Sequence, residues 1–286
     1  MHIPDGFLSP PVWLSFDAIS VPAIGWIVHR AKKAAPLTPD AAHIPLLGVM
    51  GAFVFAAQMI NFPVGLGASG HLLGGSLLAI ILGPAAAMLV MTAVIVLQAL
   101  LFQDGGVLVV GVNIFNMAIA GVAAGYLPVR LMGRSAFPVF LGGAFSVLVS
   151  AALVLWQLSL SGVAITGRPL WTASVLFAIT AVLEGLITVA AIRAIGRLSP
   201  HSLPDQPQVS FPARAAFATL ALLLATGGTW IASAAPDGLQ HLAANIGLEA
   251  NPVWTSALLD GWPAPAAGIT GLACVYALCT LGGKRR

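Results

Sequence analysis

Nine stretches of this chain are apolar for the length of a bilayer crossing or a large part of one, and no water-soluble core absorbs them all. A membrane-spanning helix needs about 20 predominantly apolar residues. From Ala85 to Phe102, for example, no residue is charged and only Thr92 and Gln98 carry polar side chains. The remaining stretches run from Pro11 to His29, Ile44 to Asn61, His71 to Leu82, Asn113 to Leu127, Phe137 to Leu160, Leu170 to Ile195, Phe211 to Ala234 and Ala264 to Leu281. Charged residues make up 7% of the 286, against about 25% in soluble domains, so the chain lacks the polar surface to cover a globule in water. The same composition excludes disorder, which needs low hydrophobicity and high charge. The fold class expected is therefore all-α, a polytopic integral membrane protein.

The stretch from His71 is too short to cross alone and stops at Gly83-Pro84. It must start below the membrane surface or lean on a re-entrant loop, and such backbone survives only where protein buries it. Nine crossings would place the termini on opposite sides. All but one of the 12 Lys and Arg then share a face, Arg168 being the exception. The positive-inside rule makes that face cytoplasmic, the N-terminus extracytoplasmic and the C-terminus cytoplasmic. Basic residues scattered at the ends of apolar runs are a topology signal, so the formal charge of +3 implies membrane lipid and no nucleic acid as partner. Met1 is followed by His, Pro and Asp without a basic segment, so no cleavable signal peptide is expected. Four prolines between Leu198 and Pro212 read as a linker. The expected division is a core at 1–198, a cytoplasmic linker at 199–211 and a two-helix unit at 212–286.

Polar residues are costly in such a protein and mark where chemistry is done. The richest set lies at the outer ends of the helices: Met1-His2 through Phe7, the loop from Asn61 to His71, Gln103 to Gly106, then Asn113 and Asn116. Gly65, Gly67 and Gly70 permit tight or left-handed turns before His71. A Met-His terminus is itself a chelator. Its free amine, the amide nitrogen of His2 and an imidazole nitrogen of His2 can close fused rings on one ion. Nitrogen donors in a tetragonal plane suit late first-row ions such as Cu(II) and Ni(II). The open corner has His71 as its nearest candidate, although a histidine there also suits a helix cap or a carbonyl. Calcium and magnesium would want oxygens, and zinc more Cys or His. Cys274 and Cys279 complete no metal motif. Asn61, Ser69, Asn113 and Asn116 are placed to orient the ligands, and the asparagines equally suit interhelical hydrogen bonds. Glu184, in the middle of an apolar run, fits either a proton or ion relay or a carboxylate bonded to neighbouring helices. Gly48, Gly51, Ala52, Ala56, Gly74, Gly75 and Ala79 allow close approach, inside the bundle or toward a partner.

The opening MHIPDGFLSPPVW, the segment QMINFPVGLGASGHLLGG and the pair QALLFQDGG and GVNIFNM resemble the substrate-binding M component of cobalt/nickel energy-coupling-factor transporters, the CbiM/NikM family, and VLEGLIT is similar too. The resemblance covers about 1–198 and implies a seven-span core with Ni²⁺ or Co²⁺ as transported substrate and no catalytic cofactor. It also implies a metal held by the Met1 amine, the main-chain and side-chain nitrogens of His2, and His71. SAAPDGL, at Ser233 to Leu239, resembles the PDGLE motif of the small N component, with Gln240 in place of the glutamate. The implied partners are a transmembrane coupling subunit and two cytoplasmic ATPases, since this chain has no GxxxxGK[ST] loop of its own. An HExxH-type metalloenzyme motif is likewise missing from the sequence. The rival reading is an ion-coupled secondary carrier, with Glu184 as its titratable residue.

Overall fold

The structure, a computed structural model, describes residues 1–34, 43–199, 209–253 and 257–284. Residues 200–208 of the expected linker, and His201 with them, lie outside the described residues. Each of the nine apolar stretches contains a helix. Among the described residues, six helical segments are long and apolar enough to cross a membrane: Pro10–Arg30, Pro84–Phe102, Val110–Met132, Ala136–Leu160, Gly167–Leu198 and Ala264–Leu281. In chain order the helices are α1 (Pro10–Ala34), α2 (His43–Gln58), α3 (Gly75–Leu82), α4 (Pro84–Phe102), α5 (Val110–Asn113), α6 (Val122–Met132), α7 (Ala136–Leu160), α8 (Gly167–Leu198), α9 (Phe211–Gly227), α10 (Gly238–Ile246) and α11 (Ala264–Lys284). A π-helical stretch, Ile114–Gly121, joins α5 to α6.

Leucines and aromatics such as Leu131, Trp156, Leu186 and Leu223 point outward, where lipid rather than water is their solvent. Inside, small residues set the spacing. A Cβ added to Gly143 would lie 2.7 Å from the Cα of Gly185, and one added to Gly185 would lie 2.6 Å from the Phe140 ring. Helices α7 and α8 therefore touch backbone to backbone, the arrangement small residues permit in membranes. Gly48 packs against Tyr276 and Thr280, and Gly51 against Val275, Cys279 and Val90. These two glycines of α2 thus serve an internal contact, the seat of α11. Phe217 of α9 meets Phe53 of α2 edge-on at 4.8 Å. One apolar core runs through Met50, Phe55, Leu77, Met91 and Val147 to Phe217, Ala221 and Val275, so both sides of the linker share it.

The short apolar stretch behaves as its length demands. Only Gly75–Leu82 is helical, and all eight residues are buried. It is preceded by a two-stranded antiparallel hairpin, β1 (Phe62–Gly65) and β2 (Ala68–Gly70), that pairs Phe62 with Gly70 and Pro63 with Ser69. Gly65 and Gly67 take positive φ at its turn, as the glycine spacing leads one to expect. Gly70 serves otherwise: a Cβ there would come within 2.8 Å of the Thr180 hydroxyl, so it is small to let the hairpin lie on α8. The unit after the linker contains the amphipathic α10 besides the two apolar helices, an element with too little hydrophobic length to register as a span.

Gly143→Leu is expected to force α7 and α8 apart and to cost at least the about 1–3 kcal/mol typical of overpacking. A lowered thermal midpoint of the purified protein in detergent checks this.

Candidate functional site

At the end of the bundle where α2 and α4 finish and α5 begins, residues 1–9 fold inward as an irregular segment of turns and extended chain. Met1, His2 and Ile3 are buried. A hydrogen-bond frame holds them there. The Asn113 side chain accepts from the Ile3 amide at 2.8 Å and donates to the Ile3 carbonyl at 3.0 Å. The Ile3 carbonyl also accepts from the Gly106 amide. Asp5 is buried, and its carboxylate accepts from the amides of Val107 and Leu108 at 3.1 and 2.9 Å. An aspartate that gathers successive amides pins the segment after α4 to the chain's opening, and it satisfies donors that burial would leave orphaned.

The frame delivers the Met1 amine to 2.6 Å from His71 Nε2 and 2.7 Å from Asp237 Oδ2. The His2 ring stacks on the His71 ring, with centroids 5.6 Å apart and planes 9° from parallel. His2 Nδ1 lies 3.2 Å from a carboxylate oxygen of Asp104, an ion-pair contact, and Nε2 has no hydrogen-bond partner. Burial, followed by the neighbouring amine and His2, pushes the His71 imidazole down to about 4. It is neutral at pH 7 and offers Nε2 as a lone-pair donor. Burial works to raise Asp237, and less so the half-exposed Asp104, but the amine beside the first and His2 beside the second outweigh it and keep both below the ordinary carboxylate range.

His71 opens four residues of non-helical backbone before α3. Glu184 holds that segment from α8: its two oxygens accept from the Leu73 and Gly74 amides at 2.7 and 2.8 Å. Gln58, at the end of α2, donates to the Leu73 carbonyl at 2.6 Å. The carboxylate that the sequence leaves open between relay and structural bond thus spends both oxygens on backbone.

Met1, His2 and His71 come together, as their selection from the sequence anticipates. Asn113 sits behind them on Ile3. Ser69 faces the C-terminal unit: its amide donates to the Pro236 carbonyl at 2.8 Å and its hydroxyl to that of Ala235 at 2.7 Å. The Asn61 carbonyl accepts from Ser233 of the same unit. Asn116 does not join them; its amide makes reciprocal bonds with Gln157 of α7, at 2.7 and 2.8 Å. The sequence reading also passes over Asp5, Asp104 and Asp237 as site residues. Asp237 carries a local signal, since with Gln240 it forms the capping box of α10. Its contact to Met1, across 236 positions, has none.

Two nitrogens bonded at about 2.0 Å to one ion in adjacent tetragonal corners are about 2.8 Å apart. The 2.6 Å between the Met1 amine and His71 is close to that spacing. Among the described residues no three His, Cys, Asp or Glu side chains form a metal cage, so any chelation here depends on main-chain nitrogen.

Fold and site together define a multi-pass membrane protein with its first residues folded into the end of its helix bundle. Residues 2–202 match the family described as the cobalt uptake substrate-specific transmembrane region, CbiM, and the chain belongs to that family. It is 32% identical to a putative fused nickel transport protein, NikMN, of Archaeoglobus fulgidus, over 97% of this chain and 96% of that one. It is also 32% identical to a cobalt transport protein, CbiM 2, of Pelobacter propionicus, over 71% of this chain and 94% of the relative. A crystal structure of a transition metal transporter superposes with a TM-score of 0.61 at 28% identity, covering 70% of this chain and 95% of that one.

Asn113→Ala leaves the Ile3 amide without its acceptor and its carbonyl with the Gly106 amide alone, and is expected to weaken metal transport about 10- to 100-fold without abolishing it; transport at limiting metal measures this. Glu184→Gln turns an amide donor toward one of the two backbone donors it must satisfy. The expected loss is about 1–3 kcal/mol of stability, read from thermal unfolding of the metal-free protein, where a relay function would leave stability unchanged.

Proposed function

We propose that this protein captures Ni²⁺ or Co²⁺ at the extracytoplasmic face and passes it inward as the substrate-specificity subunit of an energy-coupling-factor transporter. The ion is held by the Met1 amine, the amide and a ring nitrogen of His2, and His71. The observation that carries this reading is the Met1 amine, buried 2.6 Å from the His71 imidazole, on which the His2 ring stacks. A free amine can release its proton and offer a lone pair to an ion, whereas an amide in its place is no such donor. Asn61, Ser69 and Asn113 support the loops around it, Asn113 most directly, whereas Asn116 is taken up by Gln157.

The names of the relatives favour nickel or cobalt as cargo. On this reading 1–198 is the metal-binding core, 199–211 a cytoplasmic linker and 212–286 an N-component-like unit. A transmembrane coupling subunit and two cytoplasmic ATPases supply the energy, and the N-terminus is extracytoplasmic and the C-terminus cytoplasmic. An ion-coupled carrier would need a free titratable group at mid-membrane, and the Glu184 bonds to Leu73 and Gly74 count against that role.

An uncleaved extension before Met1 converts the amine to an amide and is expected to abolish metal retention, while a C-terminal tag is tolerated. His71→Ala is expected to lose more than the about 10- to 100-fold that follows removal of a supporting partner. Bound-metal analysis, with intact mass confirming the terminus, checks both. Full retention with the extension in place rejects the amine as ligand. Uptake into reconstituted vesicles that requires ATP and the ATPase partners separates the subunit from the carrier.

A further inference from the structure

The three atoms nearest the chain's start form a figure that hydrogen bonding alone does not require. The Met1 amine lies 2.6 Å from His71 Nε2 and 2.7 Å from Asp237 Oδ2, and those two atoms are 3.8 Å apart. Sides of these lengths enclose nearly a right angle at the amine. A point midway between the histidine nitrogen and the aspartate oxygen is therefore about 1.9 Å from all three atoms, within a few tenths of an ångström of the about 2.0–2.2 Å bonds that a first-row ion makes to nitrogen and oxygen. The atoms occupy three corners of one tetragonal plane, with Asp237 opposite His71. Beside them, the buried His2 ring stacks on His71, with Nδ1 3.2 Å from Asp104 and Nε2 without a hydrogen-bond partner.

Resting on the metal-binding reading above, we propose that Asp237, carried by the C-terminal unit, is an oxygen ligand of the incoming metal ion, in the corner opposite His71. The Met1-His2 chelate fills its plane only after an amide proton has been removed, which is slow for an ion arriving with its hydration shell. A carboxylate needs no such step. The ion first exchanges water for Asp237, His71 and the amine, whose proton leaves to water. The amide nitrogen of His2 then gives its proton to water and takes the place of Asp237 as the chelate closes. The C-terminal unit is thereby part of the substrate site. Its placement is secured by the Ser69 amide on the Pro236 carbonyl and by the Asn251 amide on the Asp5 carbonyl, both at 2.8 Å.

Asp237 also caps α10, so the test keeps the cap. Serine and asparagine both cap helices well; serine is too short to reach the amine. The full chain in detergent is mixed rapidly with Co²⁺ or Ni²⁺. Asp237→Ser is expected to slow association at least tenfold, and Asp237→Asn to slow it less. Asp237→Cys places a thiolate, with its longer bond of about 2.3 Å, at the same corner. It is expected to give a thiolate-to-cobalt charge-transfer band that the wild type, with Cys274 and Cys279 in α11, lacks. Association of Asp237→Ser within twofold of wild type overturns the proposal. Slowed association with no band in Asp237→Cys overturns it too, since Asp237 would then only position the amine. Wild-type protein that binds neither ion, or His71→Ala that binds as wild type does, would instead sink the metal-binding reading itself.

Discussion

The burial of one amino group organises this end of the molecule. An ammonium taken out of water costs several kcal/mol unless it is paired and hydrogen-bonded. Here the Met1 amine is met by a carboxylate from one end of the chain and an imidazole from an interior loop. Both partners must be in place at once, which requires Asp237 at the start of α10 and His71 at the end of the hairpin. Around that contact the first nine residues give up helical structure and rely on borrowed hydrogen bonds from Asn113, Gly106 and the amides that Asp5 gathers.

The same need explains where the bundle departs from regular helix. Non-helical backbone at membrane depth is tolerated only where its polar groups find protein partners. At His71 to Gly74 those partners are Glu184 and Gln58. Between Ile114 and Gly121 the backbone widens to a π-helix, a feature frequent at functional sites. It lies between Asn113, bonded to the N-terminal segment, and α6, which packs on α7. A charge within the bundle is thus spent on backbone, and the irregular backbone in turn positions an imidazole.

The unit after the linker is bound into this arrangement from both ends. Its apolar helices pack on α2 through the surfaces that Gly48, Gly51 and Phe53 present. Its outer segment pairs with Ser69 of the hairpin and reaches the amine through Asp237. A fused unit seated in this way shares the apolar core and the polar site alike. The likeness to a fused relative over nearly the whole of both chains runs through both units.

Hydropathy was enough to make the class legible, because lipid accepts only long apolar helices whose backbone bonds are internal. The approximate places of nine apolar helices followed from the same rule, six of them long enough to span among the described residues, as did the irregular approach to α3. Met1, His2 and His71 were selected by donor chemistry, which is local to each residue and its terminus. Other features depended on which surfaces meet. The choice for Glu184 between relay and clamp turned on two amides more than 100 positions away, and Gln157 took Asn116 out of the frame by offering it a complete pair of bonds. Gly70 kept its small size for the Thr180 hydroxyl and not for its dihedral freedom. Asp237 shows the division most plainly. Its role as a helix cap could be read from the spacing of Asp237 and Gln240, since capping is satisfied within one turn. Its place at the Met1 amine was decided only by the tertiary structure, because a buried cation takes whatever carboxylate the packing of distant helices brings within reach.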